Sequence, residues 1–329
     1  MDLLVLGGTG WLGGEVAAQA LHRGHRVTCL ARGSAPVPDG CELVRADRTV
    51  PGAYDALAGR RFDAVVDVTR QPGQVRGALE ALASRVGHWG FVSTGNVYAD
   101  HSRPGGVESD PLLPAAGSDE VGAEQYGEGK VACEMLCAQH VGDRLLVARA
   151  GLIGGVGDPT GRAVAWARRA ALAPEAAMLV PDAPDQPTQV VDVADLSAYL
   201  LDAAESGLTG RYDAVGPVLP LGEWIALSRQ VGGHTGDVVA ADPGWLLEQG
   251  VGQFMGPESM AMWIAEPSMA GFSARTGAAA AATGLRHRPR EELLRRALAD
   301  DLAQDPPRTA AAGLSLQREA ELVTAWRQR

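Results

Sequence analysis

Aromatic residues are scarce in this chain, at 5% of 329 positions. Cysteine is scarce too: Cys29, Cys41, Cys133 and Cys137 are the four present, and none forms C-x-x-C. Cys133 and Cys137 stand four apart on an expected helix, but no histidine or second cysteine pair completes a metal site. A reduced, metal-free, cytoplasmic protein is therefore expected. No apolar run approaches the roughly 18 residues of a membrane span. Asp2 and the break at Gly7 remove the basic start and apolar run of a signal peptide, so neither secretion nor a membrane partner is expected. Basic charge is in deficit, with 29 Lys and Arg against 40 Asp and Glu and a net charge of −11. Such a chain repels phosphate backbones, which argues against a nucleic-acid partner.

What is abundant is small and apolar: 42 glycines and 46% hydrophobic residues. Short apolar runs alternate with amphipathic stretches from the start. Leu3–Leu6 reads as a strand, "WLGGEVAAQALHRG" as a helix ending at Gly24, and "RVTCL" as the next strand. "CELVRAD" reads as a third strand ending at Asp47, and "FDAVVDVT" as a fourth. A helix over "PGQVRGALEALASRV" and a strand over "HWGFVST" follow. This alternation predicts an α/β fold with a doubly wound parallel sheet, the Rossmann architecture. Ala99–Gly122 interrupts it as a long loop, and a helix is expected from about Glu124. "RLLVARA" is a strand, "GLIGGVGDPTGR" a second glycine-rich loop, and "PTQVVDVADLSAYLLDAA" a short strand feeding a helix. Beyond Gly210 one more strand and then short helices are expected. The predicted division is a dinucleotide-binding domain over 1–165, rejoined by about 187–215, and a smaller, mostly helical substrate lobe over 166–186 and 216–329. Within that lobe Trp166, Trp224, Trp245 and Trp263 are expected in its core.

The stretch "LLVLGGTGWLGGEV" accommodates two glycine templates. Gly8, Gly10 and Gly13 read as G-x-G-x-x-G; Gly7, Gly10 and Gly13 read as G-x-x-G-x-x-G. Either brings backbone N–H groups against a pyrophosphate at a helix N-terminus. Thr9, Trp11 and Leu12, within the same turn, and Thr69, after the fourth strand, join the cofactor-binding candidates. In the dinucleotide fingerprint an acid ends the second strand and holds the ribose 2′-hydroxyl. Here Ala31 stands near that position and Arg32 follows. A guanidinium there suits the 2′-phosphate of NADP, so NADP(H) is favoured, with NAD(H) as the alternative. Asp47 is a candidate partner for the adenine amino group or a plain turn residue.

Tyr126 and Lys130 lie i, i+4 and share one face of a helix. An ammonium beside a phenol favours the phenolate, and the same lysine can grip the nicotinamide ribose. A hydroxyl at the end of "FVSTGNVY" would polarise a substrate carbonyl or alcohol. Strand alternation allows Ser93 or Thr94, not both, and Thr94 is preferred. Arg70, Asn96 and Arg149 are candidates to line the substrate cleft.

Together "GGTGWLG", "FVSTGNVY", Tyr126 with Lys130, and "QVVDVADL" resemble the extended branch of the short-chain dehydrogenase/reductase superfamily, the NAD-dependent epimerase/dehydratase-like family, over roughly residues 1–215. The resemblance implies that Gly7, Gly10 and Gly13 are the working turn, with Gly8 a spacer. It implies Thr94, Tyr126 and Lys130 as catalytic residues, Arg32 as the 2′-phosphate contact and a homodimer through helices around 75–85 and 126–140. The expected activity is NADP(H)-dependent reduction of a carbonyl, or its reverse, on a small molecule. A nucleotide-sugar epimerase or dehydratase with transient redox is one alternative. A non-catalytic NADP sensor or RNA-binding protein on the same fold is another. Gly127 and Gly129 inside the catalytic helix predict a turn that is loose until cofactor binds.

Overall fold

The computed structural model describes residues 1–304 and 312–329. Its chain order opens with β1 (Asp2–Leu6), α1 (Trp11–His22), β2 (Arg26–Ala31), β3 (Glu42–Arg45) and β4 (Phe62–Asp67). Then come α2 (Pro72–Leu82), β5 (Val86–Thr94), α3 (Tyr126–Val141), β6 (Leu145–Ala150), β7 (Leu152–Gly154), α4 (Ala165–Leu172) and β8 (Met178–Pro181). The remainder includes β9 (Pro187–Thr188), β10 (Val190–Asp192), α5 (Val193–Ser206), β11 (Gly210–Ala214), β12 (Leu219–Pro220), α6 (Leu221–Gly232) and β13 (Val238–Ala241). Helices α7 (Pro243–Glu248), α8 (Ala278–Ala282), α9 (Arg290–Leu302) and α10 (Leu316–Arg327) follow, with short strands β14 (Gly252–Phe254), β15 (Gly256–Pro257), β16 (Ser259–Ala261) and β17 (Ala312–Gly313) among them.

Seven strands form one sheet in the order β11-β6-β5-β4-β1-β2-β3. Every pairing within it is parallel. This is the doubly wound Rossmann arrangement. The strands are apolar on both faces because helices cover both. Along β1 the side chains alternate: Leu3 and Val5 enter the core beneath α1 and α5, while Leu4 and Leu6 enter the one beneath α2 and α3. Strand order reverses between β1 and β4, so the carboxyl ends of β1, β4 and β5 open onto one crevice, where such sheets bind ligands.

The lobe has its own core, in which Trp166, Trp224, Trp245 and Trp263 are all buried. The mostly helical lobe also holds short strands: β8 and β13 pair in parallel, and β12 pairs antiparallel with β9. Ala280 and Leu285, from within 216–329, pack into the sheet core instead of the lobe core, because α8 lies on β11. The second glycine-rich loop also contains β7, which pairs with β10. Three residues are too few to display a period, so only their distant partner reveals the strand.

Candidate active site

The glycine turn joins β1 to α1. Gly7 takes φ +100° and donates its N–H to the Leu30 carbonyl at 3.0 Å; Gly10 N–H in turn reaches the Gly7 carbonyl at 2.9 Å. A Cβ on Gly13 would sit 2.3 Å from Gly7 O, so helix and turn meet at a distance only glycine permits. Gly8, expected as a spacer, is equally constrained: its Cβ would lie 2.4 Å from Cys29 Sγ. The first turn of α1 has no capping side chain and no acid. Its N–H groups and the positive end of the helix dipole therefore face the crevice unneutralised, which fits a pyrophosphate. Gly10, Trp11, Leu12 and Gly13 border a cleft of about 1030 Å³; Gly7 and Thr9 shape the turn behind it. Trp11 extends its Nε1–H to the Val156 carbonyl at 2.7 Å, tying the turn to the loop that leads into the lobe.

At the end of β2, Ala31 is buried and Arg32 is exposed, outside the main cleft. Strand β3 stops at Arg45, so Asp47 lies in the turn beyond it and not at a strand end. One Asp47 oxygen accepts from Thr49 N–H at 2.9 Å and Oγ1 at 2.7 Å. Those bonds, followed by the nearby Arg32 charge, hold its carboxyl below the usual range.

The chemical end lies where β4, β5 and α3 converge. Thr94 ends β5 with Oγ1 accepting from Asn96 N–H at 3.3 Å and donating to Asn96 Oδ1 at 3.0 Å. It borders the cleft together with Tyr126 and acts to lower the Tyr126 pKa. Ser93 faces the other way, and its Oγ donates to buried Glu134 at 2.5 Å. Lys130 is buried beneath the cleft and donates to the carbonyls of Thr69 and Val92, each at 2.7 Å. Burial lowers its pKa. A third N–H remains on that ammonium.

Three expectations change here. Burial raises the Tyr126 pKa above the usual tyrosine value. The charges that chiefly oppose this are Arg70 and Arg162, whereas Lys130 is drawn down between two carbonyls. Thr69 presents its carbonyl to Lys130, while its hydroxyl is taken by Arg48, so its side chain does not border the cleft. Gly127 and Gly129 mark close packing, not looseness: a Cβ on Gly127 would lie 2.3 Å from Asn96 O, and one on Gly129 2.5 Å from Val121 Cγ2.

Arg70 and Asn96 do line the cleft, and Arg70 is exposed there. Arg149 does not. It is 2% exposed and bound bidentately to Glu134, through Nε at 3.1 Å and Nη2 at 2.8 Å. Its Nη1 donates to Tyr98 Oη at 2.9 Å, and Tyr98 donates to Asp213 at 2.6 Å. Arg275, from the C-terminal half, closes the chain onto Asp213 at 2.7 Å. A buried charge network thus clamps β5, α3, β6 and β11 below the site. On the opposite wall stand Arg162, Phe254, Met255 and Phe272, which sequence reasoning missed. Arg162 at least closes the second glycine-rich loop; the aromatic residues carry no sequence signal. Among the described residues, no group of three or more His, Cys, Asp or Glu could hold a metal ion, and no helix is long and apolar enough to cross a membrane.

Residues 3–82, which run from β1 through the glycine turn to the end of α2, match the NAD dependent epimerase/dehydratase family. Over these residues the match bears out the resemblance to the extended short-chain dehydrogenases/reductases. No curated protein matches the sequence. Among solved structures, a putative epimerase from Burkholderia cenocepacia is 21% identical, with a TM-score of 0.68 over 91% of this chain and 97% of that one. UDP-glucose 4-epimerase of Thermus thermophilus, solved with NAD, is 20% identical, with a TM-score of 0.66 over 91% and 98%. UDP-N-acetylglucosamine 4-epimerase from Bacillus cereus is 18% identical, with a TM-score of 0.61 over 74% and 85%. At these identities the likeness is one of fold.

Proposed function

We propose that this protein is an NADP(H)-dependent oxidoreductase that interconverts a carbonyl and an alcohol on a small molecule. The observation that carries this reading is the meeting of Thr94, Tyr126 and Lys130 in the cleft that begins at the uncapped glycine turn. The turn around Gly7, Gly10 and Gly13 would hold the pyrophosphate, Arg32 the 2′-phosphate, and the third N–H of Lys130 the nicotinamide ribose. When bound, the cofactor supplies or accepts the hydride.

This chain's part in the chemistry is the proton. Thr94 would donate a hydrogen bond to the substrate oxygen and hold it beside Tyr126. Burial keeps Tyr126 protonated at neutral pH, which suits it to give its proton to an oxygen gaining charge. In the reverse direction the phenol must first ionise. Arg70 and Arg162 favour that form, so alcohol oxidation gains from rising pH while carbonyl reduction does not.

The absence of an acid at Ala31 and the presence of exposed Arg32 favour NADP(H) over NAD(H). The neighbour solved with NAD supports a second reading, a nucleotide-sugar epimerase that borrows and returns the hydride. Four unpaired cysteines suit a reducing compartment such as the cytoplasm. The reading includes a homodimer through α2 and α3.

Melting the protein with NADPH and with NAD tests the cofactor: a larger shift with NADPH is expected, and a larger shift with NAD overturns it. Following NADPH absorbance against ketone and aldehyde panels tests the chemistry. Tyr126→Phe is expected to lower turnover by roughly a hundredfold or more while keeping the NADPH-induced shift. Full activity in that variant would sink the assignment.

A further inference from the structure

The lobe wall of the cleft combines one unpaired cation with a mostly apolar surface. Arg162 is half-buried. Its Nε donates to Thr160 Oγ1 at 3.2 Å, its Nη1 approaches Met255 Sδ at 3.9 Å, and its guanidinium lies 5.1 Å from the Phe254 ring centre. No carboxylate of the described residues pairs with it within 4.0 Å; Asp158 acts on it only at longer range. A half-buried guanidinium without an ion pair is costly unless a ligand supplies the anion. Arg70 faces the same space from the sheet side, also without an ion-pair partner among the described residues.

Around Arg162 the wall is hydrophobic. Phe254 packs edge-on against Phe272, with ring centres 5.5 Å apart, and Met255, Ile264 and Met269 extend the surface. Phe254 holds this position at φ +63°, a conformation costly for a bulky residue. The polar groups nearby are largely occupied. Gln253 Oε1 accepts from Ala265 N–H. Gln189 is bonded at both ends of its amide to Gly216 and Arg275, and Arg275 is held by Asp213 and Asp110. Ser273, the exposed Glu266 and the Gln253 Nε2 amide remain open on this side. A sugar lying there would leave most of its hydroxyls without partners, and each such loss weakens binding.

We infer that Arg162 receives an anionic group on the substrate and that Phe254 and Phe272 hold an apolar body, so the substrate is a hydrophobic acid and not a nucleotide sugar. This deepens the oxidoreductase reading and rests on it. Thr94 and Tyr126 would act on a carbonyl borne by that body, and a carboxylate and a phosphate ester are the two sources of the charge.

The test is calorimetric binding to the NADP-loaded protein, with phenylpyruvate, its methyl ester, phenyl phosphate and UDP-glucose as probes. At least one of the two acids is expected to bind about tenfold more tightly than the uncharged ester. Whichever acid binds more tightly names the source of the charge. Arg162→Leu should erase the preference for acid over ester, and Arg162→Lys should restore part of it. The NADPH-induced melting shift of each variant, unchanged from wild type, shows that the fold and cofactor site survive. Equal binding of acid and ester, no binding of either acid, an undiminished preference in Arg162→Leu, or tighter binding of UDP-glucose than of both acids would each overturn the inference. Loss of the wild-type NADPH shift would instead sink the reading beneath it, so the two failures are distinguishable.

Discussion

At the residue scale, the glycine turn shows how far a motif reaches and where it stops. The spacing of Gly7, Gly10 and Gly13 was legible because it encodes a local turn. Gly8 was not, because its constraint comes from Cys29 on the neighbouring strand. Gly8→Ala is expected to destabilise the protein by about 1–3 kcal/mol through overpacking, measured by urea unfolding. Adding Cys29→Ala should recover only part of the loss. The sulfur goes, but the Cys29 Cβ, 2.6 Å from the new methyl, stays. An unchanged unfolding midpoint for Gly8→Ala would show that the contact relaxes freely. That only one of Ser93 and Thr94 can face a given side was legible for a similar local reason, since strand alternation sends the Ser93 hydroxyl to Glu134 and the Thr94 hydroxyl to Asn96. Arg149 was misjudged because its partners Glu134, Tyr98 and the Glu108 carbonyl come from separate parts of the chain.

At the element scale, alternating strand and helix patterns were readable wherever an element was long and its partners adjacent in sequence. β7 and β8 escaped because each is short and pairs with a strand some 38 to 60 residues away. The helix α5 was legible as the continuation of a short strand. Asp192 is the N-cap, accepting from Ala194 N–H at 2.7 Å. Its environment adds a titration that sequence could not disclose. Burial raises its pKa to about 6, against the partial opposition of the Ala194 N–H and then of Arg288 at 3.2 Å. A carboxyl raised in the folded state favours folding when protonated, and that contribution is lost as pH rises from about 4 through about 6. Asp192→Asn keeps the cap and removes the titration, and Arg288 retains Asp195. The variant should therefore gain stability relative to wild type between pH 4 and 7, by on the order of 1 kcal/mol. Urea unfolding at both ends of that range measures it, and parallel pH profiles would refute the assignment.

At the scale of the whole molecule, the sheet domain and lobe meet across the cleft, and Trp11 and the Arg149–Asp213–Arg275 network tie them together. The outer surface of the same domain bears on assembly. Helices α2 and α3 pack side by side on one face of the sheet, and α3 exposes Met135 to 60% of its area. Gln139, one turn further along, is also exposed. In a homodimer built on these helices a two-fold axis would bring Met135 toward its own copy. Met135→Arg would then oppose two like charges across the interface, yet cost the isolated chain little, because the side chain is already largely in solvent. Light scattering is expected to give a wild-type mass near twice the 34.2 kDa of one chain and a variant mass near 34.2 kDa. The interface would also brace the helix whose first turns carry Tyr126 and Lys130, about 14 Å and about 7.5 Å from Met135 at 1.5 Å per residue. Turnover in the monomeric variant should therefore fall, while its NADPH-induced melting shift persists. A monomeric wild type, or a variant that stays dimeric, would place the contact elsewhere.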